Sequence, residues 1–60
     1  MLIKLNDDTF INKDNVTHVE LIRGRSSTRL EFHMIGGAKI IQEINSDYPD
    51  HAAAEILKNF

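Results

Sequence analysis

Apolar residues in this sequence recur in short runs and then change period once, after Pro49. Leu2-Ile3-Lys4-Leu5, Thr9-Phe10-Ile11, Val16 to Ile22, Leu30 to Ile35 and Lys39 to Ile44 have the β-branched, alternating character of half-buried strands. Beyond Pro49, residues Ala53, Ile56, Leu57 and Phe60 fall on one helical stripe. Strands first and a helix last predict a small α+β fold: an antiparallel β-meander of four to five strands with one C-terminal helix packed on one face. The connections support this order. Asn6-Asp7-Asp8, Lys13-Asp14-Asn15, Gly24-Arg25-Ser26-Ser27, Gly36-Gly37 and Asn45-Ser46-Asp47 are turn-forming and too short for the crossover that a parallel pair requires.

Alternation also predicts register. With Arg23 opposite Thr28, the pairs Leu21–Leu30, Val19–Phe32 and Thr17–Met34 share the core face. Ile22–Arg29, Glu20–Glu31, His18–His33 and Val16–Ile35 then share the other. A two-residue shift keeps the faces but sets Glu20 against His33, which avoids opposed carboxylates; the sequence leaves both registers open. Across Gly36-Gly37, Met34 is expected to face Ala38, Phe32 to face Ile40, Glu31 to face Ile41 and Arg29 to face Glu43. Asp47 is the expected helix cap, with Asp50 in the first turn and Pro49 tolerated there.

Sixty residues form a single domain, 1–60. A chain of this size buries only about 60% of its unfolded surface and usually needs further support. With no cysteine, disulfides and thiolate metal sites are excluded, which leaves oligomerisation as the expected support. No apolar run approaches the roughly 20 residues of a membrane span, and the first residues lack the pattern of a signal peptide. The expected location is therefore cytoplasmic.

The second face of the sheet carries the first functional expectation. Val16, Ile22, Ile35 and Ile41 fall on the side the helix does not cover, as must one of Leu2 or Ile3. They are the candidate surface for a second copy of the chain or a partner protein. Arg23, Arg25 and Arg29, three of the seven basic residues, sit with Ser26, Ser27 and Thr28 around one loop; they are candidates for binding phosphates or an acidic partner. The net charge of −2 and the scarcity of free aromatic residues, with all three Phe expected in the core and only Tyr48 left, weigh against nucleic acid. His18 and His33, with Glu20 and Glu31, are weaker candidates for a metal site. No nucleophile elbow, glycine-rich phosphate loop or paired catalytic acids is present. The reading is a non-enzymatic interaction or regulatory module without cofactor, acting as a homodimer. A nucleic-acid-binding module using the Arg23–Arg29 loop and a metal-binding module using His18 and His33 are the alternatives.

Leu5-Asn6, Phe10-Ile11-Asn12, Val16-Thr17-His18-Val19-Glu20, Ser27-Thr28-Arg29-Leu30-Glu31-Phe32 and Gly37-Ala38-Lys39-Ile40-Ile41 together give a layout that resembles small flagellar and swarming-motility proteins of the FlbD/SwrD kind. The sequence has Asn6-Asp7 where that family has Asn-Gly, a longer arginine-rich loop and a C-terminal helix. The strand-turn-strand pattern is also similar to the start of LytTR-type DNA-binding domains. Neither resemblance implies a catalytic residue.

Overall fold

The computed structural model describes residues 1–60 and contains five strands and one helix. Strands β1 (Leu2–Asn6) and β2 (Thr9–Asn12) form a hairpin of their own, whereas β3 (Val16–Arg23), β4 (Thr28–Met34) and β5 (Lys39–Ile44) form an antiparallel meander. Helix α1 (Pro49–Leu57) closes the chain. The α+β class, the meander and the terminal helix agree with the sequence pattern. The strands divide into two sheets, because the turn Lys13–Asn15 folds as a 3-10 helix between β2 and β3.

Both long hairpins adopt a register the alternation predicted. Leu21 faces Leu30, Val19 faces Phe32 and Arg23 faces Thr28. Phe32 faces Ile40, Glu31 faces Ile41 and Arg29 faces Glu43. At the glycine turn the Met34 amide donates to the Ala38 carbonyl at 2.8 Å. Gly36 and Gly37 have φ of 91° and 92°, a left-handed conformation that side chains disfavour.

One irregularity changes which residues are inside. Val16, not Thr17, pairs with Met34, and His18 then pairs with His33, so Thr17 is an extra residue in β3. The expected pairs Thr17–Met34 and Val16–Ile35 are corrected accordingly. The bulge turns the apolar Val16 towards the core, where it packs against the buried cluster. Thr17 is left exposed, and its hydroxyl donates to the His33 carbonyl at 2.9 Å. A β-branched hydrocarbon gains more from burial than a hydroxyl does, which favours this arrangement.

The core lies between the meander on one side and the β1–β2 hairpin and helix on the other. Ile3, Leu5 and Ile11 come from the hairpin, Leu30, Phe32 and Ile44 from the meander, and Ala53 from the helix. Ile56, Leu57 and Phe60 pack around them as the helical stripe predicted. The rings of Phe32 and Phe60 meet at 5.1 Å and 38°, a tilted contact favoured by ring quadrupoles. Asn6 Nδ2 donates to Gln42 Oε1 at 2.7 Å and ties the hairpin to β5.

Helix capping differs from expectation. Tyr48, not Asp47, occupies the cap position, and its side chain makes no capping bond. Pro49 is the first helical residue and keeps the residue before it out of helical conformation, so the boundary falls at Tyr48. Ser46 Oγ accepts from the Tyr48 amide at 3.1 Å and organises the approach instead. The helix is not long and apolar enough to cross a membrane.

Candidate functional site

The outer face of the meander is a three-by-three array set by the register. His18, His33 and Lys39 form one row; Glu20, Glu31 and Ile41 the next; Ile22, Arg29 and Glu43 the third. Ile22 and Ile41 therefore stand on the two edge strands of the meander, in different rows, with Arg29 and Glu31 of β4 between them. Ile35 lies beyond the end of β4 in the glycine turn and is exposed. Val16 has moved to the core side. The expected apolar face of Val16, Ile22, Ile35 and Ile41 is thus not one continuous patch. The bulge removes one member, and charged residues on the central strand separate the others.

What the array does bring together is a histidine–glutamate cluster. The His18 and His33 rings stack with centroids 4.2 Å apart and planes 5° from parallel. Glu20 Oε1 lies 2.9 Å from His33 Nε2 and 3.6 Å from His18 Nε2. The donor atoms of His18, Glu20 and His33 all lie within 4.8 Å of one another. The register opposing Glu20 to Glu31 is the one adopted, with His33 Nε2 2.9 Å from Glu20 on the diagonal.

Glu31 is the one buried charged residue. Arg29 Nε donates to its Oε2 at 2.9 Å, while Lys39 Nζ and His33 Nε2 approach Oε1 at 3.8 and 3.7 Å. The Arg29 hydrogen bond, helped by the Lys39 charge and opposed by burial, holds the Glu31 carboxyl below its ordinary value of 4.5. A lowered folded pKa means that the unfolded chain binds more protons through the acid range, so the Glu31 contribution is complete above the unfolded value and is lost as pH falls through the folded one. Glu31→Gln is expected to destabilise the fold near neutral pH, with the gap from the parent closing in acid. Urea midpoints of both proteins at neutral and acidic pH check this; a gap that does not change with pH would assign the loss to packing alone.

The arginines of the β3–β4 loop do not form a free cationic surface. Arg23 Nε and Nη2 both donate to Asp50 Oδ1, at 3.2 and 2.9 Å, which joins the end of β3 to the first turn of α1. Arg29 is engaged by Glu31 on its own strand rather than by Glu43, which it faces across the sheet. Arg25 is exposed and without a carboxylate partner, and it stands alone in this respect among the three. Beside the Arg23–Asp50 pair lies an open cleft of about 430 Å³ lined by Arg23, Asp47, Tyr48, Pro49, Asp50 and His51.

The sequence reading missed the most exposed aromatic strand residue. Phe10, expected in the core, is 59% exposed, whereas Phe32 is fully buried. In the β1–β2 register Ile3 faces Ile11 and both point inward, so Leu2, Lys4, Phe10 and Asn12 share the outer side. Leu2 is 65% exposed and lies diagonally across from Phe10, within reach of an aromatic ring. The signal was present in the alternation: once Ile11 is inside, its neighbour must be out.

Comparison of the chain with protein-family models, with curated proteins and with solved structures finds no match.

Proposed function

We propose that this chain is a non-enzymatic interaction or regulatory module that acts as a homodimer, with the outer face of the β1–β2 hairpin as its contact surface. The observation that carries this is the exposed pair Leu2 and Phe10 on a hairpin whose inner face is already fully used by Ile3, Leu5 and Ile11. A two-stranded hairpin is marginal by itself, and covering its second face adds support where the fold has least.

Size favours a second copy as the occupant. The chain exposes 4372 Å², against about 4000 Å² for a compact monomer of its mass, and only eight of its 60 residues are buried. A two-fold axis through the hairpin sets Phe10 of one copy against Leu2 of the other, an arrangement complementary to itself. Lys4 stands opposite Phe10 in the register with its ammonium held to Asp7 at 3.6 Å, so its aliphatic stem can line the contact while the charge stays at the rim. The loop arginines favour nucleic acid less, since Arg23 and Arg29 are already neutralised by carboxylates.

Sedimentation equilibrium tests the proposal. The parent is expected to be dimeric, and Phe10→Lys monomeric with an unchanged circular dichroism spectrum. Ile41→Lys, on the other sheet, is expected to remain dimeric. A parent that is monomeric at every concentration, or a dimer lost in Ile41→Lys and kept in Phe10→Lys, would overturn it.

A further inference from the structure

We propose that His18, Glu20 and His33 form a binding site for a divalent transition-metal ion of the zinc class, on the meander face opposite the core and separate from the dimer surface. The donor set is two imidazoles and a carboxylate, a combination that suits zinc and its borderline neighbours. Each donor is fixed by the register. His18 and His33 are directly paired across β3 and β4, and Glu20 follows His18 on the same face.

The bulge at Thr17 prepares one ligand. The Thr17 hydroxyl spends its single hydrogen on the His33 carbonyl at 2.9 Å. Its Oγ1, 3.3 Å from His18 Nδ1, is therefore the acceptor in that second contact. The proton of neutral His18 accordingly sits on Nδ1, and Nε2 presents its lone pair to the cluster. This is the outer hydrogen bond that sets the tautomer of a metal-binding histidine.

His33 supplies the independent observation. Its Nε2 is buried and makes no directed hydrogen bond, although Glu20 Oε1 lies 2.9 Å away. A buried ring nitrogen without a well-aligned partner is an uncommon feature, and an ion held jointly with Glu20 would satisfy it.

Two of the three donor separations are close to what coordination requires, and all three lie within 4.8 Å. Ligands at zinc distances on a tetrahedron lie about 3.4 Å apart. Glu20 Oε1 stands 2.9 and 3.6 Å from the two Nε2 atoms. The rings are parallel with centroids 4.2 Å apart, and both Nε2 atoms approach the same oxygen, Glu20 Oε1; binding would tilt the rings until their lone pairs converge. His18 and Glu20 are exposed, which gives the ion an entry path and leaves water for the remaining position. Glu31 is occupied by Arg29 and Lys39 and stays outside the ligand set.

Calorimetric titration of the full chain with zinc, alongside histidine side-chain NMR, tests the site. Expected are one ion per chain, perturbed Nε2 resonances of His18 and His33 with Nδ1 of His18 protonated, and no change at His51. His18→Ala is expected to weaken binding at least about tenfold, whereas His51→Ala leaves it unchanged. Absence of binding, binding unaltered in His18→Ala, or zinc shifts centred on His51 would each overturn the proposal.

Discussion

Phe32→Ala is expected to leave the chain largely unfolded at room temperature. Phe32 has no exposed surface, lies opposite Val19 and Ile40 on the central strand, and meets the Phe60 ring from beyond the helix. It is the side chain on which sheet and C-terminal segment converge. Removing a buried phenyl ring costs about 3–5 kcal/mol, because the cavity adds to the lost transfer energy. A domain of 60 residues has roughly 3–9 kcal/mol in all. The loss is therefore comparable with the total, and in a fold with so few buried residues little remains to repack the space. Circular dichroism and urea titration check it. A cooperative transition within about 1 kcal/mol of the parent would show that the Phe32 site collapses on truncation.

Ile11→Ala is expected to act more locally and almost as strongly. Ile11 is 1% exposed and is the most buried residue of the β1–β2 hairpin. The hairpin shares no strand pairing with the meander; it is held by Ile3, Leu5, Ile11 and the Asn6–Gln42 bond. Truncation at Ile11 costs about 2–5 kcal/mol of docking energy. Amide exchange is expected to show β1 and β2 losing protection well before β3, β4 and β5. Loss of protection spread evenly over all five strands would mean that the two sheets unfold as one unit. Because Phe10 sits on the same strand, loosening the hairpin is also expected to weaken the proposed dimer.

The two predictions rest on parts of the fold that were unequally legible in the sequence. The faces of the long hairpins were readable, because Leu21, Leu30, Phe32 and Ile40 all fall on one side by alternation, but a two-residue shift keeps those faces and so left the β3–β4 register open. The opposed Glu20–Glu31 pair remained ambiguous, since its relief comes from Arg29 and Lys39 engaging Glu31 in three dimensions. The bulge at Thr17 was not readable by counting in twos, and it alone moved Val16 from the outer face to the core. The helix cap was misplaced by one residue because Pro49 constrains the residue before it.

Site residues follow the same division. His18 and His33 were identified as neighbours from alternation, and the structure brings them into contact with Glu20. Whether the loop arginines were free depended on Asp50, 27 residues away from Arg23 in sequence, and no local pattern carries that information. Phe10 was assigned to the core because aromatic residues are usually buried. Its true place follows only when β1 and β2 are treated as a separate hairpin with Ile11 turned inward.

In the proposed dimer, two copies meet through the outer face of the β1–β2 hairpin. Isotope-filtered nuclear Overhauser spectroscopy on a mixture of labelled and unlabelled chains tests it most directly. Contacts between copies are expected from the Phe10 ring to the Leu2 methyl groups. Contacts between copies at Ile22, Ile35 or Ile41 instead, or none at all, would contradict it.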